Sequence, residues 1–312
     1  MKPEIIVVCG PTATGKTRLG IALAQRCGGE IVSADSMQVY RRMDIGTAKA
    51  SAEERAAAPH HMIDIVEPSE DYSVSRYVRE AGAVCDRLLH EGKTPILVGG
   101  TGLYIDSLLS GRDFAERAEG DERLRGELNA QYDALGGEAM LEALRAFDPE
   151  RAAKLHAADK RRIVRAIEIY RLTGETITAH DEETKARPPR YRAFTVALTY
   201  QNRADLYARI DRRVEEMAAE GLFEEVEGLL REGLSAACTA MQAIGYKETV
   251  LAIKGEMSRG EAVAAIQQAS RRYAKRQLTW FGRNREAHWL RWGATPDFDA
   301  ALREIDVLLS TK

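Results

Sequence analysis

Short unbroken apolar runs alternate with stretches whose apolar residues recur at helical spacing through the first hundred positions. Ile5 to Cys9 is one such run, and its lack of alternation predicts a strand buried on both faces, as in a parallel sheet. Gly10 to Thr17 follows as a polar, glycine-bounded loop. Leu19, Ile21, Leu23 and Ala24 then predict a helix that ends near Gly28-Gly29. Glu30 to Asp35 reads as a second short strand. Val74, Tyr77, Val78, Ala81, Val84 and Leu88 trace one helix face, and Thr94 to Val98 is a third apolar run, closed by Gly99-Gly100. Strand, helix and strand at these intervals predict an α/β chain with a parallel sheet.

Past Gly111 the pattern changes. Residues 112–190 carry helical spacing with no convincing strand, are rich in Ala, Arg and Glu, and finish in the stiff Arg187-Pro188-Pro189-Arg190. Phe194 to Thr199 then reads as a strand again. The expected organisation is a sheet-bearing core of residues 1–111 and 191–312 interrupted by a helical insertion, 112–190. Leu206, Ile210, Val214 and Met217 predict a helix up to Gly221. Further helices are expected over Phe223–Glu232 and from Glu261 to about Phe281. There is no internal repeat or low-complexity tract.

Composition narrows the class. With 312 residues, 45% hydrophobic and 30% charged, the chain is ordinary globular material rather than disordered or fibrous. No apolar run approaches the roughly 20 residues of a membrane span, or a signal segment with its cleavage site. A soluble, cytoplasmic protein is therefore expected. Cys9, Cys27, Cys85 and Cys238 are scattered without zinc spacing or pairing, and read as small hydrophobes in a reducing compartment. The net charge of −3 argues against a polyanion partner, but its distribution argues the other way. Residues 271–291 hold seven Lys or Arg against one acid, and residues 151–192 hold eleven against six. Two local basic surfaces are concealed by the average.

The chemistry-bearing signal is Gly10-Pro11-Thr12-Ala13-Thr14-Gly15-Lys16-Thr17, which satisfies G-x-x-x-x-G-K-[ST] between a buried strand and a helix start. Successive backbone N–H groups and the helix N-terminus there favour a polyphosphate, Lys16 adds a full positive charge, and the Thr17 hydroxyl suits Mg²⁺. A nucleotide hydrolase of this type wants a second strand-end acid for its metal. Ile96-Leu97-Val98 ends instead in Gly99-Gly100-Thr101, and the strand-end acid near the loop is Asp35. From these residues alone Asp35 serves either the metal or an acceptor. A small-molecule kinase and an RNA-binding ATPase switch both stay open alongside a transferase.

The motifs taken together resemble the tRNA dimethylallyltransferase family, bacterial type. The blocks that carry the resemblance are Gly10–Thr17, Asp35-Ser36-Met37-Gln38-Val39-Tyr40, Met43–Lys49 and Pro59–Ile65. They continue with Leu97–Tyr104, Ile244-Gly245-Tyr246-Lys247 and Ala274–Phe281. They follow the family's order and span nearly the whole chain. The resemblance implies a P-loop NTPase-like parallel sheet with an inserted all-helical domain. It also implies transfer of the dimethylallyl group of dimethylallyl diphosphate to N6 of adenosine 37, in tRNAs that read codons starting with U. The P-loop then holds diphosphate with Mg²⁺ instead of ATP. A relative acting on free adenine nucleotides would share the P-loop and the Asp, but would be expected to lack the tRNA-gripping blocks.

Residue by residue, the resemblance implies that Asp35 accepts the proton from the reacting amine, that Thr101 hydrogen-bonds at the reacting centre, and that Lys16 stabilises the diphosphate. Ser36, Met37 and Gln38 match the stretch that binds the substrate nucleotide. Arg125, with Arg123 close by, falls near a tRNA-contacting Arg. Arg161-Arg162-Ile163-Val164-Arg165 matches a block of tRNA contacts, with Arg161 standing where Gln is common. Gly245, Lys247, Lys275 and Arg276 complete the tRNA set, and Arg271 and Arg272 add phosphate contacts. Arg209 and Arg213 lie four apart on one helix, and one of them, Arg213 by preference, reaches the diphosphate. The partners implied are the tRNA anticodon stem-loop and dimethylallyl diphosphate, with a monomeric enzyme. His60-His61 is read as structural packing, because adjacent histidines point apart and no third ligand is near. Trp280, Trp289 and Trp292 are read as core residues, with base stacking by Trp280 as the alternative.

Overall fold

The computed structural model describes residues 4–111 and 121–310, and it divides them into two compact units, 1–109 with 191–312 and 110–190. Residues 112–120, where the insertion was expected to begin, lie outside the described residues.

The first unit starts with β1 (Ile5–Cys9), α1 (Lys16–Cys27), β2 (Glu30–Ser33), α2 (Ala52–Ala57), β3 (His60–His61), α3 (Val74–His90), β4 (Pro95–Gly99) and α4 (Gly102–Ser110). The second unit holds α5 (Glu122–Leu135), α6 (Gly137–Arg145), α7 (Pro149–Ala152), α8 (Lys160–Thr173) and α9 (Ile177–Ala186). The chain then returns as β5 (Ala193–Tyr200), α10 (Arg203–Glu220), α11 (Leu222–Arg231), α12 (Tyr246–Ile253), α13 (Arg259–Phe281), β6 (His288–Trp292) and α14 (Phe298–Ser310).

The six strands form one parallel sheet in the order β3-β2-β4-β1-β5-β6. β1 sits between β4 and β5 in register, with Val8 opposite Val98 and Val196. All five residues of β1 are buried, as its unbroken apolar run requires of a strand covered on both faces. β3 and β6 escape the hydrophobic pattern because they are an edge pair of histidines and a Trp- and Arg-bearing segment. Tertiary pairing, rather than local apolarity, makes them strands.

Leu19, Leu23, Ile96, Val98, Leu198, Ile210, Ala274, Trp292 and Ile305 belong to the main core. α14, which the sequence pattern did not single out, closes that core. The second unit has its own core around Leu128, Leu144, Ile163 and Ile167. No helix among the described residues is long and apolar enough to cross a membrane.

Candidate active site

β1, β4 and β2 are neighbours in the sheet and run the same way, so their carboxyl ends bring three separate loops together. From β1 comes Gly10–Gly15, from β4 comes Gly100-Thr101, and from β2 come Asp35 and Ser36. Sites of open parallel sheets form at such carboxyl ends.

The β1 loop is built to hold an anion. Gly10 has φ +135°, and a side chain there would run into the Leu198 carbonyl of β5. Gly15 has φ +80° and faces the Phe298 ring, 2.7 Å from where a Cβ would sit. Only glycine meets both demands without strain. α1 therefore starts with no side-chain cap and no acid in its first turn, so its first N–H groups keep their positive potential for a ligand.

Two cations serve this loop. Lys16 donates from Nζ to the Pro11 carbonyl at 2.7 Å. Burial, followed by the nearby Arg213 charge, lowers its pKa to about 8. Arg213 of α10 donates from Nη1 to Thr12 Oγ1 at 3.0 Å, and burial lowers its pKa as well. Arg209 pairs at 3.7 Å with Glu216 instead, so of the two candidates it is Arg213 that lies on the loop.

Asp35 and Thr101 lie at the neighbouring strand ends. The Asp35 carboxylate accepts from the Met37 N–H at 2.9 Å. Thr101 donates its N–H to the Ala34 carbonyl at 3.1 Å, and its Oγ1 accepts from the Ser36 N–H at 3.1 Å. Lys16 and Arg213 both feel the Asp35 charge, so acid and cations share one site floor at the strand ends. Tyr104, also raised to high pKa by burial, stacks on Tyr77 at 4.1 Å beside the same carboxylate.

Several residues to which the sequence reading assigned no part in the site complete the arrangement. Gln277 of α13 is 5% exposed; it accepts from the Thr12 N–H at 3.0 Å and donates to the Gly100 carbonyl at 2.9 Å. Tyr273, one turn earlier, lies beside Thr101 and Gln277, and burial pushes its pKa up to about 12. Trp292 donates to the Thr14 carbonyl at 2.9 Å from below the loop. The available signal for Gln277 was a polar residue on the Ala274, Leu278 and Phe281 stripe. For Trp292 there was none, because its partner is 278 residues away.

Other expected contacts are committed to the protein itself. Gln38 donates to the carbonyls of Thr47 and Ala48 at 3.2 Å and accepts from the Ser33 hydroxyl at 3.1 Å, so its amide anchors a loop. Ser36 and Met37 remain half-buried beside Asp35. Gly245 gives its N–H to Glu248 at 2.8 Å as α12 starts, while Lys247 is exposed. Tyr246 of the same block donates to Glu225 at 2.6 Å, and that carboxylate accepts the N–H groups of Asp44, Ile45 and Gly46 at 2.7, 2.8 and 3.1 Å. Lys49 is ion-paired to Asp64 at 2.5 Å and Asp44 at 2.7 Å. The Met43–Lys49 and Pro59–Ile65 blocks are thus tied to each other beneath Asp35's loop.

In the second unit, Arg161 and Arg162 are exposed on α8, whereas Ile163 and Val164 are 0% and 3% exposed in its core. The expectation that those two side chains touch tRNA is corrected: residues adjacent on a helix point about 100° apart, and these two face inward. Arg125 and Arg165 both bond Glu168, which is fully buried, at 3.0 and 2.9 Å. In α13, Lys275, Arg276 and Arg272 are exposed, but Arg271 is paired with Asp211.

His61 bonds Glu30 at 2.6 Å and His60 bonds the Ala58 carbonyl at 2.7 Å, in keeping with packing. Trp292 is core, whereas Trp280 and Trp289 are half-buried. Trp280 donates to Asp106 at 2.7 Å. Cys9 and Cys85 are buried hydrophobes as expected, but Cys27 is exposed.

No three His, Cys, Asp or Glu side chains converge on a metal position among the described residues. A divalent ion at this loop would take its ligands from substrate phosphate oxygens, water and the Thr17 hydroxyl. That donor set fits Mg²⁺, which keeps its waters and binds through phosphates.

Comparison with known proteins decides the family. The IPP transferase family model matches residues 38–285, and the isopentenyl transferase model matches residues 3–62. The chain belongs to the IPP transferase family. It is 45% identical to the tRNA dimethylallyltransferase of Caldanaerobacter subterraneus subsp. tengcongensis, over 96% of this chain and 94% of that one. The tRNA dimethylallyltransferase 1 of Citrifermentans bemidjiense is 46% identical over 93% of each.

Among solved structures, the tRNA isopentenylpyrophosphate transferase of Bacillus halodurans has a TM-score of 0.74, with 40% identity covering 99% of this chain and 96% of that one. A eukaryotic dimethylallyltransferase solved while acting on tRNA has a TM-score of 0.80, with 30% identity over 99% of this chain and 80% of its own. This family member is accordingly a prenyl-transferring enzyme on a P-loop-like fold. The kinase and ATPase-switch readings find no support in these relatives.

Proposed function

We propose that this transferase moves the dimethylallyl group of dimethylallyl diphosphate to N6 of adenosine 37 in tRNAs that read codons starting with U, releasing diphosphate. The observation that carries the reading is one site floor at the carboxyl ends of β1, β2 and β4, with an anion loop, Lys16 and Arg213 on one side and Asp35 with Thr101 on the other. As the allylic C–O bond breaks, negative charge grows on the diphosphate, and the loop N–H groups, Lys16 and Arg213 stabilise it. Thr17, with the phosphates, would hold a Mg²⁺ ion, which would supply further charge neutralisation. The exocyclic amine is a weak nucleophile that turns acidic as its new bond forms. Asp35 takes that proton, and Thr101 fixes the amine's position.

A target base beside the anticodon must leave its stack to reach such a floor. Arg272, Lys275, Arg276 and Lys247, together with Arg161 and Arg162 of the helical insertion, grip the RNA backbone. Their exposed amines and guanidinia make binding fall steeply with salt. The reading places the enzyme in the cytoplasm, acting as a monomer.

The direct test mixes protein, Mg²⁺ and unmodified tRNA with either dimethylallyl diphosphate or ATP, followed by nucleoside mass analysis. A dimethylallyl mass gain on adenosine, absent with ATP, is expected. Robust ATP turnover with no prenylated nucleoside would return the site to phosphoryl transfer.

A further inference from the structure

We propose that Gln277 is a positioning residue that couples RNA docking on α13 to the order of the diphosphate loop. The inference rests on the transferase reading above. Gln277 is the side chain that bonds both halves of the site: its carbonyl takes the Thr12 N–H at 3.0 Å and its amide reaches the Gly100 carbonyl at 2.9 Å. It thereby ties the donor loop to the backbone just before Thr101. Tyr273, four residues earlier on the same helix, lies beside Thr101 as well. Lys275 and Arg276, the exposed cations expected to meet RNA phosphate, immediately precede Gln277 on the same helix. α13 spans 23 residues and packs on α10, which carries Arg213, and on α12.

A rigid helix that displays phosphate-binding cations outward and a loop-clamping amide inward turns a small shift at its surface into a shift of Thr12 and Thr101 together. Thr12 is also the residue that Arg213 bonds, so the diphosphate cradle and its second cation move as one body. Coupling between two sites is reciprocal, so RNA should tighten diphosphate binding by the same factor that diphosphate tightens RNA binding.

The experiment measures pyrophosphate affinity by calorimetry with and without an unmodified anticodon stem-loop RNA. The proteins compared are the wild type, Gln277→Met and Gly100→Ala. Methionine keeps the volume and removes both hydrogen bonds. A methyl at Gly100 strikes the Gln277 amide and breaks the same tie from the opposite side, with α13 untouched. Wild-type coupling of about 5-fold or more is expected, falling to about 1 in either variant. Turnover is expected to drop about 10- to 100-fold, as for a misplaced reacting group, while RNA affinity measured without diphosphate stays within about 2-fold. Either folded variant keeping wild-type coupling and turnover overturns the proposal, as does a wild type with no coupling. Because coupling is read by binding, a wild type that couples but transfers no prenyl group would fail the transferase reading and leave Gln277's role standing.

Discussion

Arg213 donates to the Thr12 hydroxyl at 3.0 Å, which sets a buried guanidinium from α10 on a loop 201 residues earlier in the chain. Burial penalises that charge, and the guanidinium in turn helps lower the pKa of Lys16, its neighbour of like sign. Two cations forced together out of water are a poor arrangement for an empty protein and a good one for a protein about to bind an anion. Arg213→Met is expected to reduce kcat/KM for dimethylallyl diphosphate by about 10²- to 10³-fold. Arg213→Lys should recover little, because a point charge lacks the fork that spans Thr12 and a phosphate. Arg209→Ala, whose partner is Glu216, should stay within about 3-fold. Steady-state kinetics on the three variants separates these outcomes.

Lys16 makes the same point through pH. With its pKa lowered to about 8, it is charged in the ligand-free protein below that pH and neutral above it. Pyrophosphate affinity should therefore be flat below about pH 7 and fall as pH rises through about 8, up to tenfold per unit. The stability sign is opposite. The unfolded chain keeps the proton up to the ordinary value of 10.5, so the folded state binds fewer protons between about 8 and 10.5. Folding stability from this group rises with pH across that window. Lys16→Met should raise the Tm of the ligand-free protein by a few degrees at pH 7 and abolish transfer. A melt showing Lys16→Met destabilised at pH 7 contradicts the picture of a strained cation.

Asp35 is held by one backbone N–H from Met37, which leaves its second oxygen for substrate. Asp35→Ala should leave tRNA affinity within a few-fold and cut turnover by about 10²- to 10⁴-fold, the range for a lost general base. Filter binding and single-turnover rates check both halves. A wild-type rate would remove Asp35 from the mechanism.

Glu168 is fully buried and is the shared partner of Arg125 and Arg165. Glu168→Gln leaves two half-exposed guanidinium groups without their buried carboxylate partner. A loss of about 1–3 kcal/mol is expected, since hydrogen bonds to charged groups are replaced by weaker ones. Denaturant unfolding of the full chain, monitored in the helical unit, reads it. A variant as stable as wild type would mean that solvent, not Glu168, satisfies both arginines.

Much of this arrangement is legible in the residues. The buried run Ile5–Cys9, the Gly10–Thr17 loop and the helix after it announce one another because each signal is local. A strand covered on both faces is apolar throughout, and a phosphate loop needs glycines at fixed offsets. Asp35 and Thr101 are likewise readable, as polar residues at the ends of apolar runs. β6, Trp292 and α14 are not readable in this way. Nothing in His288–Trp292 marks a strand until β5 lies beside it, and Phe298 has no local reason to sit under Gly15.

By itself, then, the order of residues determined the parallel core, the anion loop and the family, since all three depend on patterns within a few tens of positions. Which groups share a site depended on the sheet order β2-β4-β1, which sets Asp35, Thr101 and Thr12 on adjacent strand ends although the chain visits them as β1, β2, β4. The choice of Arg213 over Arg209, the inward turn of Ile163 and Val164, and the double hold of Gln277 on Thr12 and Gly100 were decided the same way. Each is a question of direction at a distance, and direction exists only once helices and strands have packed.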